Sequence, residues 1–261
     1  MQINFSLTPL EFVQPWGGTD RPSHHWFGLT DGQYWIDVGT ASLFEYSTAV
    51  QERFGTPRYC QYQVSRLHED LLEIVPAILD PVPTQLIGYL HGETRDAWDR
   101  TYRRWFDDGE SAADKDEFWR LADAANTWIN NRSLDTGYLS PGTNIRFWSD
   151  EASVYVAWDN SGRFIDGLHA WHALAGVHHV SRAAFVNELH SFHDRLMAAM
   201  QIRIEQVRAG ALPREVHVDL DSLAREQHQR EQGFRDALTR SRIPAEWKQV
   251  TEAIRSIEAK L

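Results

Sequence analysis

The sequence predicts an α+β protein in which helices dominate and two antiparallel β-hairpins form one small sheet or two separate ones. Aromatic-rich runs flank the dipeptide Asp31-Gly32 and again flank residues 149–153, which is typical of hairpins. Elsewhere apolar residues recur every three or four positions, which is the spacing of amphipathic helices. We expect a single unit over residues 1–261, with a soft sub-boundary near residue 162 between a mixed part and a helical part.

The first hairpin is predicted over residues 26–38, because Asp-Gly accepts the positive φ angles of a type I′ turn. Further strands are predicted at residues 4–7, 43–47 and 59–64. Cys60 lies in the last of these and is the only cysteine, so an intramolecular disulfide is excluded and a buried thiol is expected. The second hairpin pairs residues 145–148 with residues 154–158.

Five stretches carry the helical pattern, at residues 67–78, 98–105, 118–128, 185–200 and 247–261. The second of them is expected to end in an acidic corner, which makes Asp107, Asp108 and Glu110 candidate binding residues. Ser111 is predicted to cap the helix that follows. The apolar stripe of the last helix must dock on another surface, and we expect that surface to belong to the same chain.

The charge is strongly negative, with a formal net charge of −11. Residues 1–200 contain 15 Lys and Arg against 27 Asp and Glu. Such a surface favours a basic protein as partner and disfavours nucleic acid and anionic membranes. No apolar run approaches the length of a membrane span, and the N-terminus has neither the basic nor the apolar region of a signal peptide, so a cytoplasmic protein is expected.

The chain contains 11 tryptophans. Trp16 stands beside two glycines and shortly before Trp26, in a segment that looks unsuited to a core anchor. A tryptophan in a loop can be a binding hot spot or can fold back on its own hairpin. Trp16 and Trp26 are therefore candidate binding residues, with both readings of Trp16 left open.

Histidines crowd between residues 168 and 194. The i,i+3 spacing of His169 and His172, and of His190 and His193, would place each pair on one side of a helix. With Asp194 as a carboxylate, these residues form a candidate zinc or iron site. The alternative is that the histidines border the core or lie at the surface.

Established catalytic motifs are absent, including GxSxG, a phosphate-binding GxxxxGK[ST] loop and HExxH. No catalytic residue and no cofactor are predicted. The leading hypothesis is an acidic binding protein, including an immunity-type protein that masks a basic enzyme or toxin. The alternatives are a His-rich metal-dependent or carboxylate-pair hydrolase, and a structural subunit that self-associates through residues 247–261. The oligomeric state stays open.

Four segments carry a resemblance to a known family: WFGLTDGQYWIDVG, RFWSDEASVYVAW, FVNELHSFHDRLMAAMQIRI and VHVDLDSLAREQHQRE. Together they resemble an uncharacterised bacterial family, domain of unknown function 5984. The resemblance spans nearly the whole chain as one unit. It implies no activity, cofactor or catalytic residue.

Overall fold

The computed structural model describes residues 1–18, 20–109, 114–239 and 245–260. The helices are α1 (Thr48–Phe54), α2 (Val64–Ile78), α3 (Gly92–Gly109), α4 (Lys115–Asn130), α5 (Arg182–Arg208), α6 (Leu220–Thr239) and α7 (Trp247–Glu258). The strands are β1 (Gln2–Leu7), β2 (Ser23–His24), β3 (Asp31–Val38), β4 (Ala41–Leu43), β5 (Gln61–Gln63), β6 (Ile145–Ser149), β7 (Ser153–Asp159), β8 (Phe164–Ile165), β9 (Leu168–His169), β10 (Ala175–Ser181) and β11 (His217–Val218). The predicted α+β class is confirmed, and no described helix combines the length and apolar character of a membrane span.

The first sheet is built around β3, which pairs antiparallel with β1 on one side and with β4 and β5 on the other. The hairpin predicted at Asp31-Gly32 is wrong, because these two residues begin β3 and the residues before them form a 3-10 helix. Gly32 is needed for close approach, since a Cβ there would lie 2.5 Å from the carbonyl oxygen of Ser6. The chain turns instead at Gly39, whose φ is +58°.

The second sheet has the order β10-β7-β6. The predicted hairpin is confirmed as β6 and β7, which pair antiparallel with Phe147 opposite Val156. Strand β10 adds to the free side of β7 and leads directly into α5. Ser181 caps that helix by accepting a hydrogen bond from the Ala184 N–H at 3.1 Å.

Buried apolar residues of the described ranges form two clusters. The larger lies between the first sheet, one face of the second sheet and helices α2, α5 and α6, and it contains the buried Cys60. The smaller joins α3, α4 and α7 to Trp148 and Ala157 of the second sheet. The apolar stripe of α7 packs against α4 within the chain, as expected, with Ile254 and Ile257 buried. That stripe is therefore covered and does not support self-association through residues 247–261.

Candidate functional site

The candidate metal residues lie on different elements. His169 ends β9 and His172 follows it, so the helix predicted to carry both is wrong; a short turn of β-structure occupies this segment, and both side chains are exposed. His190 and His193 do lie one turn apart on α5, where His190 and Asp194 are exposed. Within the described ranges, no three His, Cys, Asp or Glu side chains converge in a way that could hold a metal ion.

His193 instead belongs to a buried aromatic stack. Its ring lies flat on Phe234 with centroids 3.9 Å apart, and its Nδ1 shares a hydrogen bond of 3.0 Å with Nε2 of His68 on α2. Burial lowers the pKa of His68 to about 3, and the neighbouring charges of His193 and Arg230 act in the same direction. Burial also lowers the pKa of His193. Both rings are therefore neutral near pH 7, with one donating to the other.

Trp26, a candidate binding residue in the sequence, is a core anchor in the structure. It is 0% exposed, and its Nε1 donates to Oε1 of Gln227 on α6 at 2.8 Å. The guanidinium of Arg230 covers the indole ring at 4.0 Å from the centroid. Helix α6 thus supplies both the acceptor for the indole N–H and the guanidinium that covers the ring. The sequence around Trp26 indicates neither.

Trp16 is 46% exposed and folds back on the segment that follows it. Its ring meets His25 edge-on at 4.7 Å and Phe27 at 6.3 Å, and its backbone pairs with Ser23. The fold-back contacts leave about half of the side chain accessible. Trp16 thus folds back on its own segment, as one of the two alternatives predicted, and its binding role stays a prediction.

The acidic corner lies at the end of α3. Asp107 and Asp108 are exposed in its last turn, and Asp108 is 4.0 Å from Arg104 in an exposed i,i+4 pair. Glu110 and Ser111 lie outside the described residues. Asp114 caps α4 by accepting a hydrogen bond from the Glu117 N–H at 2.9 Å.

An open groove of about 460 Å³ runs between α3 and α4. Its aromatic lining comprises Tyr102, Phe106 and Trp119, and Trp119 is 51% exposed and meets Phe106 edge-on at 5.7 Å. The carboxylates of Asp99 and Asp123 also line the groove. We name this set of five residues the α3–α4 groove. It combines exposed aromatic faces with negative charge, which is an arrangement that binds organic cations.

The two carboxylates of the α3–α4 groove differ in whether they form an ion pair. Asp99 accepts two hydrogen bonds from Arg95, one of them from Nε at 2.8 Å. Asp123 is exposed and forms no ion pair within the part of the chain that the structure describes. Burial raises the pKa of the neighbouring Tyr102 hydroxyl, and Asp123 adds to that rise. The free negative charge of the groove therefore resides on Asp123.

Trp119 was missed in the sequence, although a signal for it exists. Phe118, Leu121, Ala125 and Trp128 form the buried stripe of α4, and residue 119 lies about 100° away from Phe118 around a helix. A tryptophan beside an apolar stripe, but outside it, is expected to be exposed. Among the described tryptophans, only Trp16 and Trp119 have more than 40% of their surface exposed.

Comparison with known proteins gives a family without an assigned function. No curated protein and no solved structure matches the chain. The model of a family of unknown function, DUF5984, matches residues 2–253. The resemblance carried by the four sequence segments is thus confirmed as to family, and the chain belongs to the family of unknown function DUF5984.

Proposed function

We propose that this chain is a binding protein for a basic polypeptide, and that the α3–α4 groove holds a lysine or arginine side chain of that partner. The observation that carries the proposal is the indole of Trp119, 51% exposed and one helical turn before the free carboxylate of Asp123. Residues four apart on a helix share a face, so both groups can contact one cation.

The chemistry of the groove fits a cationic side chain better than an apolar one. A guanidinium or ammonium gains from the face of an indole and from a nearby carboxylate at the same time. Phe106 and Tyr102 extend the aromatic surface along the methylene part of such a side chain. An exposed tryptophan flanked by further rings also has the character of an interface hot spot.

The charge of the whole chain supports the same partner. A net charge of −11, concentrated in residues 1–200, attracts a basic protein over distances longer than the contact itself. Such steering raises the association rate and weakens with added salt. An immunity-type protein that masks a basic enzyme or toxin is one form of this proposal, because such a partner would bring the complementary charge.

A first experiment uses a synthetic peptide of alternating arginine and glycine, with alternating glutamate and glycine as its charge-reversed control. Binding is followed by NMR through the indole N–H signal of Trp119, assigned with Trp119→Phe. We expect the basic peptide to shift this signal at about 50 mM salt and to lose most of the effect at about 300 mM. An unshifted Trp119 signal, or an equal response to the acidic peptide, contradicts the proposal.

A second experiment measures the affinity for a purified partner captured from the native host. Trp119→Ala is expected to weaken binding by roughly 30-fold, which corresponds to about 2 kcal/mol. Asp123→Asn should weaken it about fivefold at low salt and less at high salt. Phe164→Ala and Asp166→Asn are matched controls, since both residues are exposed in the β8–β9 hairpin. If only the two control variants lose binding, the interface lies at the β8–β9 hairpin and the proposal is wrong.

A further inference from the structure

A second hollow lies between the first two turns of α3 and the second sheet, and it shares Arg95 and Asp99 with the α3–α4 groove. It has a volume of about 350 Å³. Arg146 on β6, Ala157 on β7 and Val177 on β10 are register partners across the three strands, so their side chains share one face and form the floor. His91 and Arg95 line the opposite wall. We name this hollow the sheet cleft.

Arg146 brings a positive charge into the sheet cleft without a counter-charge in contact. Its guanidinium forms no ion pair with any carboxylate of the described residues; Nη1 reaches the Leu90 carbonyl only at 3.5 Å, and the buried Nε has no partner there. Burial lowers the pKa of Arg146 to about 10 and the charge of Arg95 adds to the decrease, while Asp99, Asp159 and Asp96 oppose it. A half-buried cation with no carboxylate in contact is unfavourable unless an anion accompanies it.

The remaining groups show what kind of anion fits. Leu90 and Val177 give the cleft an apolar wall beside the guanidinium. Arg95 is already paired with Asp99, which also lines the cleft. Asp96 and Asp159 line the cleft as well but are exposed, so solvent screens them more than it screens Arg146. Their charge would still repel a doubly charged phosphate more strongly than a single carboxylate.

We propose that the sheet cleft binds a small organic monocarboxylate, with the carboxylate on Arg146 and an apolar or aromatic body against Leu90 and Val177. The volume of the cleft lies at the lower end of the range for small-molecule sites. A carboxylate on a guanidinium forms the charge-assisted hydrogen bonds that Arg146 lacks in the described part of the chain. Arg146 and Val177 line only the sheet cleft and not the α3–α4 groove, and the test of the cleft does not depend on a polypeptide partner.

The experiment titrates the protein with phenylacetate, with phenethylamine as the same body carrying the opposite charge, and with inorganic phosphate. Calorimetry is combined with NMR of the Val177 methyl signals, assigned with Val177→Ala. We expect phenylacetate to bind with a Kd of about 1 mM or below and to shift the Val177 signals. Phenethylamine and phosphate should bind at least about tenfold more weakly.

Arg146→Gln is expected to weaken phenylacetate binding by at least about tenfold. Circular dichroism shows whether this variant folds; if it does not, Arg146→Lys is used and should bind more weakly than the wild type. Arg208→Gln, at an exposed position near the end of α5, is the control and should bind as the wild type does. The proposal is overturned if phenylacetate does not bind, if phenethylamine or phosphate binds more tightly, or if the folded Arg146 variant keeps full affinity.

Discussion

Gly176 lies directly beneath the indole ring of Trp158 across the β7–β10 ladder. The two residues are register partners, and a Cβ built on Gly176 would lie 2.4 Å from Cζ2 of Trp158. An aromatic ring that covers a cross-strand glycine protects the exposed backbone of the strand. The contact also fixes the ring on the face of the second sheet that packs against the larger cluster.

Gly176→Ala should therefore destabilise the protein and displace Trp158. Overpacking of this kind typically costs about 1–3 kcal/mol. Gly162→Ala is the matched control, because nothing lies within 4 Å of a Cβ at that position. Thermal unfolding followed by circular dichroism compares the two variants. Equal melting temperatures for both would contradict the close contact.

Trp26 and Trp16 should respond differently to the same substitution. Trp26→Phe removes the hydrogen bond to Gln227 and part of the surface that Arg230 covers, so we expect a loss of about 2 kcal/mol in the free energy of unfolding. Trp16→Phe should change it by less than about 0.5 kcal/mol, because Trp16 is half exposed. Urea unfolding of both variants measures the difference. A larger loss at Trp16 would reverse the assignment of core and surface.

The parts of the fold that sequence predicts are those that local patterns determine. Strands β6 and β7 are adjacent in the chain, so their hairpin can be predicted from residues 145–159 alone. The partner of β3 is β1, which pairs Gly32 with Leu7 from the far N-terminus. The Asp-Gly signal cannot indicate that a distant strand, and not a turn, occupies this position.

The candidate sites depend even more on distant contacts. The acceptor for Trp26 is 201 residues away, and the hydrogen-bonded histidines His68 and His193 are 125 residues apart. The free charge of Arg146 is a consequence of which carboxylates the fold leaves out of reach. Trp119 is the exception, since its position beside the α4 stripe could be determined from helical spacing alone.

Asp70→Asn should stabilise the protein more at pH 8 than at pH 4. Burial raises the pKa of Asp70 to about 7 from an ordinary value of 3.8, against the opposing effect of Arg66. The folded state thus binds the proton of the Asp70 carboxyl group more tightly than the unfolded state does. The stability that protonated Asp70 contributes is complete below about pH 4 and is lost as the pH rises through 7.

Asparagine has no such proton to lose. The stability of the variant relative to the wild type should therefore improve by more than about 1.4 kcal/mol between pH 4 and pH 8. Urea unfolding at both pH values measures this difference. Asp135→Asn is the control, since Asp135 is an exposed partner of the same Arg66. A constant difference between Asp70→Asn and the wild type would show that Asp70 is already ionised at pH 4.

His68 should give the opposite pH dependence. Its pKa falls to about 3 in the folded state, so the unfolded state binds more protons between about pH 6.5 and pH 3. The stability from neutral His68 is complete above about pH 6.5 and is lost as the pH decreases, by up to about 1.4 kcal/mol per pH unit. His68→Phe keeps an aromatic ring beside Phe192 and Phe234 but cannot take up a proton.

The His68→Phe variant loses the hydrogen bond to His193, so it should be less stable than the wild type at pH 7.5. As the pH decreases to 5, that deficit should shrink, because only the wild type has a His68 that binds a proton on unfolding and so loses stability. Comparing each variant with the wild type at the same pH removes the opposing contribution of Asp70. His190→Asn is the matched control, since His190 is exposed while contacting the same Phe234 ring. If the deficit of His68→Phe stays constant from pH 7.5 to 5, the pKa of His68 is not lowered in the folded state.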